Sequence, residues 1–211
     1  MKEIKIVILD FDGTLADTAS VIIQTTQATI SELGLPARTD DECAAMIGLR
    51  LIEIPPVLFP ETEIDCELYA ATYRRLFHIF NKDGAVTLYP GVREKLEDLK
   101  DRGIVLTIAS SRSRASLTEY VRNLGLSHLI TYILGADDVH AGKPDPEAVL
   151  KTLEKFGFSP DEAIVAGDTV FDIDMGRNAG TATCGVTYGN GSRESLAHAD
   201  WLIDNFSQLP L

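Results

Sequence analysis

"IKIVILDFDGTLADT", residues 4–18, is the stretch of this sequence that decides the fold. Residues 4–9 are almost continuously apolar and rich in branched side chains, as strands are when helices cover both faces of a parallel sheet. Asp10 and Asp12 follow directly, and they share one face because side chains alternate along an extended chain, with Phe11 pointing away. Two like charges at the exit of a buried strand are costly to desolvate. The pair therefore points to a functional site.

Similar apolar runs recur later in the chain and alternate with helical segments. The runs that predict further strands are "GIVLTIAS" (103–110), "ITYIL" (130–134), "AIVAG" (163–167) and "TATCGVT" (181–187). The helical segments between them are "SRASLTEYVRNLG", "DPEAVLKTLEKFG" and "FDIDMGRNAG", and the last two close with Gly157 and Gly180, which suit helix ends. This alternation predicts an α/β fold with a doubly wound, Rossmann-like parallel sheet.

One interval breaks the alternation. About ninety residues separate the first strand from the next apolar run, whereas a crossover between parallel strands needs only about a dozen. The interval reads as helices: "CELYAATYRRLFHIF" (66–80) is amphipathic, and "IPPVLFPE" breaks the segment near its middle. We expect a small helical cap over residues 17–82, inserted into an α/β core of residues 1–16 and 83–211. The connectors would be "GTLADT" (13–18) and "NKDGAVTLYPG" (81–91).

The charge balance of the chain is acidic. Its 211 residues include 19 basic and 32 acidic residues, a net charge of −13, which opposes binding to nucleic acid or anionic membranes. No stretch approaches the roughly 18 apolar residues of a membrane span, and "MKEIKIVILD" fits a core strand better than a signal peptide. Cys43, Cys66 and Cys184 are widely spaced, which favours buried free thiols over disulfides or a zinc site. We expect a cytoplasmic monomer or homodimer without a nucleic-acid or membrane partner.

Polar side chains follow several of the predicted strands. Ligands of doubly wound sheets bind at the carboxyl ends of the strands, so these side chains should converge at one edge. They are Asp10 and Asp12 after the first strand, Ser110 and Ser111 after the second, Lys143 in "GKPDP" (142–146), and Asp168 and Asp172 in "GDTVFD" (167–172). The sequence thus predicts a cluster of carboxylates, hydroxyls and one ammonium group.

Such a cluster requires a cation. Carboxylates that lie close together raise each other's pKa values unless a positive charge neutralises them. A set of hard oxygen ligands suits Mg²⁺ better than zinc or copper. With the metal in place, one aspartate of the first strand can attack phosphorus while the other moves a proton. Lys143 and Ser110 can hold the oxygens of the transferring phosphoryl group.

These motifs, in this order, resemble the four motifs of the haloacid dehalogenase superfamily. They are present as "DFDGT" (10–14), Ser110 in "IASS", Lys143 in "GKPDP" and "GDTVFD" (167–172). The helical insertion directly after the first motif is similar to the cap of the phosphoglycolate phosphatase and β-phosphoglucomutase branch. The resemblance therefore spans nearly the whole chain.

The resemblance implies a catalytic or phosphate-binding role for five residues. Asp10 would be the nucleophile that forms an aspartyl-phosphate. Asp12 would be the general acid for the leaving group and then the general base for the hydrolytic water. Ser110 and Lys143 would bind the phosphoryl group, with Ser111 as a further candidate.

The resemblance also implies the metal ligands. Mg²⁺ would be held by the carboxylate of Asp10, the backbone carbonyl of Asp12 and the carboxylate of Asp168. Asp172 would lie in or beside this ligand set. An alternative for Asp172 is that it caps the helix that follows or meets the dipole of that helix.

Two arginines are candidate substrate contacts. Arg112 follows Ser110 closely and could supply positive charge at the rim of the cleft, although a solvated first helical turn explains it equally well. Arg50 lies in "MIGLRLIE" (46–53), where relatives place a loop that contacts the substrate.

The residues favour phosphate-ester hydrolysis over related activities. Dehalogenating relatives lack an acid two residues after the nucleophile, whereas Asp12 is present here. Sugar-phosphate mutases of the branch carry a His in the first cap helix where this chain has Ile22. We expect a Mg²⁺-dependent phosphatase that acts on a small phosphorylated metabolite, a phosphate monoester. The alternatives are a sugar-phosphate mutase and a non-enzymatic phospho-acceptor module, in which Asp12 would have no role.

Overall fold

The computed structural model describes residues 3–82 and 86–211. Its strands, in chain order, are β1 (Ile6–Leu9), β2 (Ala16–Asp17), β3 (Thr87–Leu88), β4 (Val105–Ala109), β5 (Tyr132–Leu134), β6 (Ala163–Gly167), β7 (Ala182–Val186) and β8 (Trp201–Ile203). Six of them form one parallel sheet in the order β5-β4-β1-β6-β7-β8, and β2 pairs with β3 in a separate antiparallel sheet. The predicted parallel α/β sheet is confirmed.

Helices occupy most of the intervals between the strands. In chain order they are α1 (Ala19–Glu32), α2 (Asp40–Ala44), α3 (Ile54–Leu58), α4 (Cys66–Phe80), α5 (Val92–Asp101), α6 (Arg114–Asn123), α7 (Glu147–Phe156) and α8 (Val170–Asn178). Gly157 and Gly180 adopt positive φ just after α7 and α8, as expected of residues that end helices. Among the described residues, none of these helices combines the length and the apolar character that crossing a bilayer requires.

The central strand β1 explains the apolar run that opens the sequence. It pairs in parallel with β4 on one side and with β6 on the other, and all four of its residues are fully buried. Val7 and Leu9 pack in a core shared with α5 and α6, whereas Ile6 and Ile8 pack in a second core shared with α7 and α8. Successive side chains therefore enter opposite cores, so neither face of the strand tolerates a polar residue.

Helices α1–α4, residues 19–80, form a unit that we name the helical insert. It has a separate apolar core, which includes Ile30, Phe59 and Tyr69. Strands β2 and β3 pair where the chain leaves the α/β core and where it returns, so the two connectors run side by side. The predicted α/β core resumes at residue 83, and residues 83–85 of the predicted connector lie outside the described residues.

The sequence pattern does not predict four of these elements and places a break where a fifth lies. It does not predict α5, which is dominated by charged residues, or β8, β2 and β3, which are too short to show a period. The predicted break at "IPPVLFPE" is wrong in detail, because Pro55 and Pro56 lie in the first turn of the short helix α3. Proline is tolerated there since the first backbone N–H groups of a helix have no partner within the helix.

Candidate active site

Three neighbouring strands each end in a predicted site residue. Asp10 directly follows β1, Ser110 follows β4 and Asp168 follows β6. These strands are parallel and adjacent, so the three side chains leave the sheet at the same edge. All three residues are buried. The structure therefore brings together residues that lie more than 150 positions apart in the chain.

Lys143 joins two of the predicted carboxylates. Its Nζ donates to Oδ1 of Asp10 at 2.5 Å and to Oδ1 of Asp172 at 2.6 Å. Burial alone would lower the pKa of Lys143, but the two carboxylates raise it above its ordinary value, so the ammonium group stays charged. Burial also raises the pKa of Asp10 well above its ordinary value, against the opposing charge of Lys143. The charge of Lys143 therefore offsets the burial of Asp10 only in part.

Asp168 is oriented by neutral donors. Thr14 Oγ1 donates to its Oδ1 at 3.1 Å, and the backbone N and Nδ2 of Asn190 donate to its Oδ2 at 2.7 and 2.8 Å. Burial, followed by the charge of Asp172, raises the pKa of Asp168 to about 7, although the bonds from Asn190 and Thr14 oppose the shift. These donors thus hold Asp168 in a defined orientation without neutralising its negative charge.

Asp172 uses its two oxygens differently. Oδ2 accepts hydrogen bonds from the backbone N of Thr169 at 3.0 Å and from the Thr169 hydroxyl at 2.7 Å, which closes the N-terminus of α8. Oδ1 faces Lys143. The helix-capping interpretation is therefore confirmed for one oxygen, while the other belongs to the carboxylate cluster.

The carboxylate cluster fits a divalent cation. Oxygens of Asp10, Asp168 and Asp172 lie within 4.8 Å of one another, and with the ammonium of Lys143 the four groups carry a formal charge of −2. The available ligands are hard oxygens, which Mg²⁺ prefers. Gly13 keeps the space open: its φ is +82°, and a Cβ atom there would lie 2.1 Å from Oδ2 of Asp168. The residues present thus match a Mg²⁺ site in both charge and chemistry.

Asp12 stands apart from this cluster. Its two carboxylate oxygens accept hydrogen bonds from Nε of Arg112 at 2.9 and 2.7 Å. Burial would lower the pKa of Arg112, but the contact with Asp12 raises it. The side chain of Arg112 is only 13% exposed, so the interpretation of a solvated helical turn is wrong. Arg112 lies against a predicted catalytic carboxylate.

The remaining predicted residues border a small cavity between the α/β core and the helical insert. The cavity is about 10 Å³ and its lining includes Arg50, Ser110, Ser111 and Lys143. The Ser111 hydroxyl donates to the backbone oxygen of Gly48 at 2.5 Å. Nη1 of Arg50 donates to the backbone oxygen of His140 at 3.0 Å, and its Nε donates to Glu53 at 2.7 Å. Such a volume holds about one water molecule, so the insert is closed over the site.

Three further residues near the site, Asn190, Glu53 and Phe77, are not predicted from the sequence. Asn190 lies in "YGNGS" (188–192), four residues after the end of β7, so the strand-end rule that located Asp168 could have found it. Glu53 follows Arg50 by three residues, a spacing at which helical ion pairs form. Phe77 lies over the guanidinium of Arg112, but nothing in the pattern of α4 distinguishes it from an ordinary core residue.

Comparisons with known proteins agree with this geometry. The model of the haloacid dehalogenase-like hydrolase family matches residues 7–186. A phosphoglycolate phosphatase of Haemophilus influenzae is 29% identical over 98% of this chain and 97% of its own length, and pyrophosphatase PpaX of Listeria innocua is 31% identical over 98% and 95%. A haloacid dehalogenase-like hydrolase from Bacteroides fragilis has a crystal structure with a TM-score of 0.92 at 28% identity, covering 98% of this chain and 100% of that chain. The resemblance inferred from the four motifs is confirmed: the chain is an enzyme that belongs to the haloacid dehalogenase-like hydrolase family.

Proposed function

We propose that the chain is a Mg²⁺-dependent phosphatase that hydrolyses a small phosphate monoester through an aspartyl-phosphate on Asp10. One observation carries the proposal: the carboxylate of Asp10 contacts the buried ammonium of Lys143 and lies within 4.8 Å of the carboxylates of Asp168 and Asp172. A nucleophile, a phosphate-binding cation and metal ligands thus meet at one strand end. The names of two relatives, a phosphoglycolate phosphatase and a pyrophosphatase, support the same class of reaction.

Four residues would hold the metal. They are Asp10, Asp168, the oxygen of Asp172 that does not cap α8, and the backbone carbonyl of Asp12. When bound, Mg²⁺ would offset the charge of the carboxylates and polarise the phosphoryl oxygens of an incoming anionic ester.

The reaction would then proceed in two steps through the chain's own carboxylates. First, an oxygen of Asp10 bonds to phosphorus, the bond from phosphorus to the leaving oxygen breaks, and Asp12 gives that oxygen a proton. Second, Asp12 takes a proton from water, the water oxygen bonds to phosphorus, and the bond between Asp10 and phosphorus breaks. Lys143 and Ser110 hold the phosphoryl oxygens in both steps and offset their charge. The products are an alcohol and inorganic phosphate.

The cap, residues 17–82, contains the helical insert and would act as a lid. The closed cavity has room for about one water molecule, so a phosphate ester can enter only when the insert moves. The connectors pair through the two-residue strands β2 and β3, and so short a sheet suits a hinge. Opening would release Arg50 and Ser111 from their contacts between the insert and the core, which makes both candidates for contacting the substrate. Closure would exclude water from the reacting groups.

Hydrolysis is favoured over mutase chemistry and over a phospho-acceptor module. Ile22, at the position where mutases of the branch carry a His, packs beside the larger apolar core and cannot transfer a proton. A phospho-acceptor module would not need Asp12 beside Asp10. The acidic chain would act in the cytoplasm on a small phosphorylated metabolite, as a monomer or homodimer.

Release of inorganic phosphate from a panel of monoesters tests the proposal. The panel would include p-nitrophenyl phosphate, hexose phosphates and pyrophosphate, each measured with Mg²⁺ and with EDTA. We expect turnover with Mg²⁺ only, and none for Asp10→Asn. Asp204→Asn, which removes an exposed and paired carboxylate, is the matched control and should keep the wild-type rate. Isomerisation of a hexose phosphate without phosphate release would favour a mutase, and no turnover in any condition would favour a binding module.

A further inference from the structure

Arg112 forms a sheltered ion pair that the two-step reaction does not use. Both oxygens of Asp12 accept hydrogen bonds from its Nε, at 2.9 and 2.7 Å, and the two side chains are only 13% and 11% exposed. If Asp12 rotated away, a largely buried guanidinium would lose its counter-charge, which is costly. The pair therefore restricts where the carboxylate of Asp12 points.

Arg112 is itself positioned by two aromatic rings. Its Cζ lies 4.7 Å from the ring centroid of Phe77 and 5.0 Å from that of Tyr120. A guanidinium over an aromatic face is attracted to it, and more strongly when water is excluded. Phe77 belongs to α4 of the helical insert, whereas Tyr120 belongs to α6 of the α/β core. The position of Arg112 thus depends on both parts of the molecule.

We propose that Arg112 is a positioning residue that aligns Asp12 for proton transfer, and that it does so only while Phe77 of the closed insert covers it. This inference rests on the proposed role of Asp12 as general acid and base. Opening of the insert would withdraw Phe77 and loosen the pair, and closure would restore it. Proton transfer would then be coupled to the exclusion of water.

This role predicts kinetics different from those of a substrate contact. An arginine that binds the substrate equally in the ground state and the transition state contributes mainly to KM, whereas one that aligns the general acid contributes to kcat. The Nε edge of Arg112 is bonded to Asp12, so it cannot bind a substrate oxygen in this arrangement.

The first experiment compares Arg112→Gln and Arg112→Lys with Arg114→Gln. Arg114 is a matched control because it lies two residues further along the chain, at the start of α6. It likewise pairs with an aspartate, Asp138, at 3.0 Å and lies over an aromatic ring, that of Tyr132. With glycerol 2-phosphate, we expect Arg112→Gln to lower kcat about 10- to 100-fold, a share of the roughly 10²–10⁴-fold that acid–base catalysis provides. KM should change less than about threefold. Arg112→Lys should restore only part of the rate, and Arg114→Gln should keep all of it.

Substrates with different leaving groups distinguish a positioning role of Arg112 from a merely structural one. p-Nitrophenolate departs without a proton, so Arg112→Gln should still release one equivalent of it rapidly in a stopped-flow experiment. Turnover should then slow, because the second step needs Asp12 as a base. An equal loss of the first step for p-nitrophenyl phosphate and glycerol 2-phosphate would overturn the proposal.

Double variants test whether Arg112 acts through Asp12 and whether it depends on Phe77. In an Asp12→Asn background, Arg112→Gln should cause no further loss, and a full multiplicative loss would contradict action through Asp12. Phe77→Leu should lower kcat in the wild type but not in Arg112→Gln, and Phe77→Tyr, which keeps the ring, should retain the rate. Independent losses from Phe77 and Arg112 would overturn the coupling to the insert.

The outcomes distinguish this inference from the proposed function. Wild-type turnover in Asp10→Asn or Asp12→Asn would remove the proposed function itself. If both variants lose turnover while Arg112→Gln keeps the wild-type kcat, only the role of Arg112 is wrong.

Discussion

Asp10→Asn removes one negative charge from the buried cluster and changes little of its shape. At an effective dielectric constant of about 20, two carboxylates no more than 4.8 Å apart repel by at least about 3.5 kcal/mol, and the contact of Asp10 with Lys143 at 2.5 Å attracts by about 6.6 kcal/mol. Asp10 faces two such carboxylates, Asp168 and Asp172, so the repulsion is at least as large as the attraction to Lys143. The cost that remains is desolvation of the carboxylate, which Asn does not carry. Without metal, the variant should therefore be at least as stable as the wild type.

Turnover of the same variant should be lost, because an amide does not attack phosphorus. Loss of a nucleophile lowers kcat by about 10⁴-fold or more. Mg²⁺ should still raise the Tm of the variant, but by less than in the wild type, because Asp168 and Asp172 remain. Phosphate release and thermal denaturation, with Mg²⁺ and with EDTA, measure the two effects. A near-normal rate would mean that the nucleophile is misassigned, and destabilisation by more than about 2 kcal/mol would refute the charge balance.

Three further predictions concern the surroundings of the cluster. Burial raises the pKa of Asp168 to about 7. Without metal, the folded protein therefore binds this proton more tightly than the unfolded chain does. The resulting stabilisation of the fold is complete below about pH 4 and is lost as the pH rises through 7. In EDTA, the Tm should therefore fall from pH 5 to pH 8, and Mg²⁺ should raise the Tm most at pH 8. A Tm in EDTA that rises over this range would contradict the raised pKa of Asp168. Gly13→Ala should cost more than about 3 kcal/mol in urea denaturation, because the new Cβ meets Asp168, whereas Gly103→Ala, with φ +80° and open space, should cost about 1 kcal/mol. Equal losses of unfolding free energy in the two variants would show that the close approach of residue 13 to Asp168 does not affect stability. Asn190→Ala should raise the Mg²⁺ concentration for half-maximal activity about 10-fold, because it removes a donor to Asp168; an unchanged Mg²⁺ titration would argue that Asn190 does not orient this ligand.

The convergence of the site residues could be predicted because each lies at a recognisable strand end. Asp10, Ser110 and Asp168 each follow an apolar run, and parallel strands bring their carboxyl ends to one edge. The dual use of Asp172 could be foreseen only as two alternatives. The capping role depends on its spacing from Thr169, whereas its contact with Lys143 depends on the tertiary fold.

The partners of the site residues could not be predicted because they depend on packing between distant segments. Arg112 meets Asp12 across 100 residues. Phe77 of the insert lies over the guanidinium only because the tertiary fold packs α4 against this part of the α/β core. The connector strands β2 and β3 have two residues each. Their pairing comes from the tertiary path of the two connectors, and no periodicity in so short a segment can reveal it.

Covalent phosphorylation of Asp10 is tested most directly by quenching the enzyme in acid during turnover of p-nitrophenyl phosphate with Mg²⁺ and then analysing its peptides by mass spectrometry. We predict a single phosphoryl group, located on Asp10, that appears within the first turnover and is absent from Asp10→Asn. A phosphoryl group on another residue, or turnover during which no phosphorylated peptide accumulates even in Asp12→Asn, would contradict the mechanism.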